Sequence, residues 1–242
     1  MTSNRSIRST LAAAALSASM AASATILTVF DSIPNGTASF NSTVASAGGT
    51  VSAMLIPTAS SVPSIDAGPF TIARNNGSPF STSTYGTMSG PVIGINPAGT
   101  VRGPAGDSQP SGVTFTFDSP VNSVGFEVGD WGTCCQPSAL YISFDGGAPI
   151  EVGKSLSTGD VFFGGKSEVF VAAFDDTGSF STVQFWGDGF GEVLVAGGQL
   201  SYALLSQGSL PPPTAVPEPA GVVLSGLVLA GLLMAARRRE RG

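Results

Sequence analysis

The sequence predicts an all-β chain, an antiparallel β-sandwich of jelly-roll-like type, followed by one C-terminal transmembrane helix. Three observations predict it. Between residues 25 and 206 the chain is rich in Gly, Ser, Thr and Val and short of Lys, Glu and Leu, so strong helix formers are scarce. No window before residue 220 sustains a 3.6-residue apolar period. Short alternating segments are instead separated by Gly, Pro, Asn and Asp, as in sandwiches and barrels.

Residues 1–24 read as a secretory signal peptide. Arg5 and Arg8 supply a basic start, residues 11–20 a short Ala-rich apolar run, and Ala22, Ser23 and Ala24 a small-x-small cleavage pattern. The mature chain is then expected to begin at Thr25, after Ala24. The two arginines are not adjacent, so the twin-arginine route is not indicated.

The ectodomain is expected over 25–206. An opening strand is predicted over 25–30, then strands over 37–40 and 50–56. Residues 57–111 hold eight prolines and are expected to be loop-rich. Short edge strands are expected near 70–73 and 92–95, because proline cannot donate to a ladder. The later half alternates more clearly. Val113, Phe115 and Phe117 share one face while Thr114 and Thr116 take the other, and 121–128 continues with Val124, Phe126 and Val128 on one side. Asp145, Gly146 and Gly147 predict a hairpin between 139–144 and 149–152. Strands over 168–174, 182–186, 193–196 and 199–204 complete the set, with a turn at 175–178.

Residues 207–216 contain Pro211, Pro212 and Pro213 and are expected to form a semi-rigid spacer. Then come Pro217, Glu218 and Pro219, an uncharged apolar run over 220–236, and a basic tail over 237–242 with Arg237, Arg238, Arg239 and Arg241. As a helix the run is about 25 Å long, near the lower limit for spanning a bilayer core. The arginines would stay cytoplasmic and stop transfer. This ordered triplet of motif, span and basic end resembles the C-terminal sorting signal of PEP-CTERM proteins. The resemblance implies recognition by an exosortase and residence in the inner membrane before processing near Pro217, Glu218 and Pro219. It further implies delivery to the cell envelope or extracellular matrix. It names an address and no activity.

The whole chain carries a net charge of −6, but the basic residues crowd into its two ends. Residues 25–216 hold only Arg74, Arg102, Lys154 and Lys166 against fourteen acids. So acidic a domain argues against nucleic acid and anionic membrane surfaces, and suits neutral sugars or divalent cations. Histidine is absent, which removes Ser-His-Asp and Cys-His catalysis and His-containing zinc sites. No P-loop and no dinucleotide fingerprint is present. Cys134 and Cys135, the only cysteines, are adjacent. Three readings compete for them: a vicinal disulfide, favoured as a structural loop feature; bridges between copies; and free thiols for a metal or for reaction.

Carboxylates are the remaining candidates. Glu127 and Asp130 lie in one segment, and Asp188 and Glu192 in another. A glycosidase needs two carboxylates across a sugar, and Trp131 and Trp186 could stack a ring. No catalytic signature accompanies them, so a solvated, turn-forming set of acids is the favoured reading and no catalytic residue is assigned. No cofactor is expected; calcium is the alternative, with Asp130, Asp175, Asp176, Asp188 and Glu192 as oxygen donors, although no EF-hand pattern is present. Of the tryptophans, Trp131 is the one expected to be exposed, in a ligand loop with Asp188 and Glu192.

The segment 113–130, with the hairpin and the strand that follow it, resembles the β-sandwich ectodomains common among PEP-CTERM proteins, which look like lectins or carbohydrate-binding modules. Such domains often carry an Asp-Asn pair before the last strand; this chain departs from them with Ala196, Gly197 and Gly198. The first expectation is a non-enzymatic envelope or matrix protein with a structural or adhesive role or a polysaccharide-binding one, exopolysaccharide being the candidate partner. The alternative is a carbohydrate-active hydrolase using Glu127, Asp130, Asp188 and Glu192.

Overall fold

The computed structural model describes residues 26–30, 32–95, 110, 112–131, 138–157, 168–187 and 194–210. In chain order they form β1 (Ile26–Phe30), α1 (Ile33–Ser46), β2 (Ser52–Leu55), β3 (Ser64–Asp66), β4 (Phe70–Arg74), β5 (Thr82–Ser83) and β6 (Val92–Ile95). There follow β7 (Val113–Val121), β8 (Ser123–Gly129), β9 (Ser138–Phe144), β10 (Ile150–Ser155), β11 (Val169–Phe174), β12 (Phe180–Gly187) and β13 (Leu194–Ala203). Among the described residues these strands make two antiparallel sheets, the sandwich that the alternation predicts. The first runs β1-β11-β8-β13-β6-β5, with β2 also paired to β13; the second runs β10-β9-β12-β7-β4-β3.

The predicted inward face of β7 is the observed one. Phe115 and Phe126 meet across the core at 5.8 Å, and Phe126 and Phe185 at 4.8 Å edge-on. Each fully buried aromatic contributes about 2–3 kcal/mol of transfer free energy, and these rings dominate the inter-sheet layer.

Two expected strands, 193–196 and 199–204, are one strand, β13, bent in the middle. Gly198 sits at φ +61°, its N–H donates to Pro91 O and its carbonyl accepts from Ile56 N, both at 3.0 Å. It therefore hands the free side of β13 from β6 to β2. The strands expected near 70–73 and 92–95 are present as β4 and β6, but neither is an edge: β3 lies outside β4, and β5 outside β6.

The strand expected over 37–40 is wrong, and so is the expectation of no helix in this region. Residues 33–46 are α1, with Ser32 as N-cap accepting from Asn35 N and Pro34 in the first turn. Gly48 N–H donates to Ala45 O and Gly49 N–H to Val44 O, with Gly48 at φ +76°, a Schellman ending. Ile33, Gly36, Phe40 and Val44 form its buried face. Phe40 stacks on Phe174 at 5.1 Å and meets Phe170 edge-on at 6.2 Å. Packing on β11, not propensity, makes this Ser/Thr-rich stretch helical.

Both ends of the described chain sit at one pole. Ile26 pairs with Phe174. Asn122, fully buried between β7 and β8, donates through Nδ2 to Leu205 O at 3.0 Å and accepts from Leu205 N at 2.7 Å. Asp176 accepts from Gly208 N through its carbonyl and from Leu210 N through Oδ2, and Leu210 is buried. The spacer expected from residue 207 is thus still bound to the domain through residue 210. The strand ends that flank residues 96–111, 132–137, 158–167 and 188–193 lie at the opposite pole, where Leu194 pairs with Ile95, Val169 with Val128 and Gly187 with Leu140. Among the described residues no helix is long and apolar enough to cross a membrane; the span expected over 220–236 lies outside them, as do the signal peptide with Ala24 and Thr25.

Candidate functional site

The two outer faces of the sandwich differ. That of the first sheet is covered. Toward the chain-terminal pole α1 lies on β11, where Phe170, Ala172 and Phe174 join Phe40 and Val44. Toward the other pole residues 85–89 lie on β8: a Cβ at Gly129 would be 2.8 Å from both Met88 Sδ and Tyr85 Cδ1, so only a bare backbone fits beneath them.

Two of the acids singled out in the sequence hold this segment. Glu127, on the outer face of β8, is 1% exposed. It accepts from Ser89 N at 2.8 Å through Oε2 and from Gln199 N at 3.2 Å through Oε1. A side chain at Gly198 would collide with this carboxylate. Asp130 accepts from the Tyr85 hydroxyl at 2.9 Å. Glu168, which the sequence reading did not single out, accepts from Thr87 N at 3.1 and 3.2 Å and from the Thr87 hydroxyl. Glu127 is therefore not the solvated acid expected of it.

The tryptophans also differ from expectation. Trp131 is 1% exposed and belongs to the inter-sheet core. Asp130, at φ +61°, turns the chain out of strand alternation immediately before it. Trp186 is 1% exposed and clusters with Ala139 and Tyr141, its ring 6.1 Å from that of Tyr141. Neither presents an open stacking platform. Asp175 closes its own turn, accepting from Thr177 N, the Thr177 hydroxyl and Gly178 N. Among the described residues no three His, Cys, Asp or Glu side chains gather as a cation site. Cys134, Cys135, Asp188, Glu192, Pro217, Glu218, Pro219, Arg237, Arg238, Arg239 and Arg241 lie outside the described residues.

The outer face of the second sheet carries a different chemistry. Register sets Asp66, Thr71, Thr116 and Thr182 in one row across β3, β4, β7 and β12. A second row runs Ser64, Ala73, Thr114, Gln184 and Ser143, reaching β9. At about 4.8 Å per strand it is about 19 Å long. Thr116 is exposed, and Thr71, Thr114, Thr182 and Gln184 are half-buried. Gln184 Nε2 donates to Thr114 Oγ1 at 3.4 Å, and Thr114 Oγ1 donates to Asn75 Oδ1 at 2.7 Å. Asp66 is the only charged residue aligned in the two rows, and Asp145, at the Thr182 hydroxyl, adds a carboxylate at the other end of the first. The alternation of β7 already placed Thr114 and Thr116 on this face; their alignment with Thr71, Thr182 and Gln184 is long-range pairing, which no local pattern encodes.

Fold and face together define an antiparallel β-sandwich whose first outer face is covered and whose second carries hydroxyls and an amide beside a buried patch of Trp186, Tyr141 and Ala139, with Ser143 buried at the patch's edge. No protein-family model and no curated protein matches the chain. Three solved structures are similar to it only to the degree that follows. A mutant of the CBM29-2 carbohydrate-binding module has TM-score 0.37 and 16% identity, covering 69% of this chain and 99% of its own. A family 29 carbohydrate-binding module has 0.36 and 15%, covering 70% and 99%. Another CBM29-2 mutant, complexed with cellulohexaose, has 0.35 and 15%, covering 67% and 98%.

Proposed function

We propose that this chain is an exported envelope or matrix protein, sorted by an exosortase, whose domain binds a neutral polysaccharide through the outer face of its second sheet without catalysing a reaction. The observation that carries the binding reading is the pair of in-register rows containing Thr71, Thr114, Thr116, Thr182 and Gln184. Hydroxyls and a carboxamide both donate and accept, which matches the hydroxyls of a sugar polymer. The first row has a carboxylate at each end, Asp66 on β3 and Asp145 at the Thr182 hydroxyl, and the second row, through Thr114 and Gln184, has none. The non-catalytic part rests on Glu127 and Asp130, whose carboxylates are occupied as acceptors for Ser89, Gln199 and Tyr85. The sorting part rests on the order of Pro217, Glu218, Pro219, the apolar run and the arginines.

The test is affinity electrophoresis and calorimetry of the full chain in detergent against a panel of neutral polysaccharides, with reducing-end release measured in parallel. Retention by at least one polymer, loss of it in Thr116→Arg and Gln184→Ala with unchanged circular dichroism, and no sugar release are expected. Retention that survives both substitutions, or no retention on any polymer, overturns the binding reading; sugar release abolished by Asp130→Asn establishes the hydrolase instead.

A further inference from the structure

We propose that β2 is a self-pairing edge, through which two copies of this chain join into one continuous sheet. The ladder decides which backbone groups are open. Ile56 N–H donates to Gly198 O at 3.0 Å, and β2 pairs with β13 from Leu55 opposite Gln199 to Ser52 opposite Tyr202. In an antiparallel ladder the bonding residues alternate. Ser52 and Met54 therefore turn their N–H and C=O toward β13, and Ala53 and Leu55 turn theirs to the open side. Ser52, Ala53 and Leu55 are exposed, Leu55 by 49%.

Among the described residues the other sheet edges are guarded. β1 and β10 lie side by side, and β10 also carries Glu151, Lys154 and a register shift between Glu151 and Gly153. β3 has three residues, follows Pro63 and ends on Asp66. β5 is flanked by residues 59–62: Thr82 N–H donates to Ala59 O at 3.0 Å, and Val62 and Phe80 exchange backbone bonds. Charge, proline and bulges are the usual devices against edge pairing. β2 contains no charge, no proline and no register shift.

The same comparison selects the partner. The domain is acidic, yet residues 32–65 hold no charged side chain, so a second copy meets no like charge along this strand. An edge bearing Glu151 or Asp66 would press a carboxylate against apolar Leu55, at a cost in desolvation; a second β2 brings none. About a two-fold axis at Met54, Ala53 of each copy stands opposite Leu55 of the other, and each such pair exchanges both its N–H···O bonds. This register uses the open backbone groups and lays each exposed Leu55 beside an Ala53. A strand pair this short falls below the roughly 1,200–2,000 Å² of a standard interface, so the dimer is expected to depend on concentration.

The experiment is sedimentation of the full chain in detergent over a range of concentrations, with hydrogen exchange measured on the same samples. A dimer that grows with concentration is expected, and protection of the Ala53 and Leu55 amides is expected to rise with it about tenfold or more. Ala53→Pro deletes an N–H that faces the open edge and leaves the β13 ladder whole. Leu55→Lys sets a charge on the same edge. Both are expected to return the chain to monomer with unchanged circular dichroism, and the second decides if the first unfolds. A chain that stays monomeric throughout overturns the proposal. So does a dimer in which Ala53 and Leu55 exchange as in the monomer, or one that survives substitution of the edge, as a dimer joined through residues 220–236 would.

Discussion

Glu127 shows how a side chain's surroundings decide its use. In the sequence it is one of four acids that could face a sugar. In the fold it is sunk against backbone N–H groups of Ser89 and Gln199, beneath Gly198. That makes Gly198 a sensitive position. Alanine there meets a left-handed φ, costing about 1–3 kcal/mol in strain alone, and pushes on a buried carboxylate. Gly198→Ala is expected to lower the urea midpoint accordingly, whereas Gly208→Ala, also at positive φ but with nothing within 4 Å, bears the backbone strain only and loses less. Trp131 teaches the same lesson in reverse. A tryptophan beside glycines reads as exposed, yet one left-handed residue, Asp130, returns it to the core. Backbone handedness at a single non-glycine residue leaves no mark in a one-dimensional pattern.

At the scale of elements, legibility followed periodicity. β9, β11 and β12 were readable within two residues, β9 and β12 from the alternation of their core-facing side and β11 as a short run that is apolar and buried throughout, whereas β7, whose alternation showed its inward face, runs to Val121 instead of ending at 117. α1 was not readable, because its buried face includes Gly36, over which Phe170 lies, and its other positions are mostly Ser, Thr and Asn. The local signals for it were Ser32 followed by Pro34, and Gly48 at the end; only tertiary contact with β11 made them decisive. The polar rows of the second sheet were half legible: the facing of Thr114 and Thr116 was, the company they keep was not. The hairpin at 145–147 was predicted from its residues, and the fold adds an electrostatic role. Asp145 accepts from Ser181 N at 2.9 Å and from Thr182 N and the Thr182 hydroxyl, each at 2.8 Å. Partial burial pushes its carboxyl up, but the bonds from Thr182 and Ser181 outweigh that and hold it below the ordinary carboxylate range. A folded value below the unfolded one contributes stability above about pH 4, lost as pH falls through the folded value. Asparagine tolerates the same left-handed backbone, so Asp145→Asn isolates the charge. Its deficit in urea midpoint relative to wild type is expected to be present at pH 7 and to shrink toward zero in strong acid; a deficit independent of pH would remove this role.

For the whole molecule, the pairing of Ile26 with Phe174 and the docking of Leu210 put both ends of the domain at one pole. On the proposed sorting, a spacer leaving there would turn the opposite pole away from the membrane that holds the anchor, and would leave the polar face of the second sheet on the flank. Intact mass with peptide mapping of the protein from its native host tests that arrangement. A chain beginning near Thr25 and ending near Pro217, Glu218 and Pro219 is the expected product. Retention of residues 220–242 would make the anchor permanent and remove the exosortase from the account.

The docking of residues 205–210 also decides how the domain would meet a mechanical load. A pull on Leu210 first loads its bond to Asp176 and that of Leu205 to Asn122, then passes along the chain into β13, which is flanked by β8 on one side and by β6 and β2 on the other. Force along that strand, away from the far pole, shears two ladders at once instead of unzipping one bond after another. A chain fastened at its C-terminus and tugged from its far end would therefore hold as a unit until many bonds yield together.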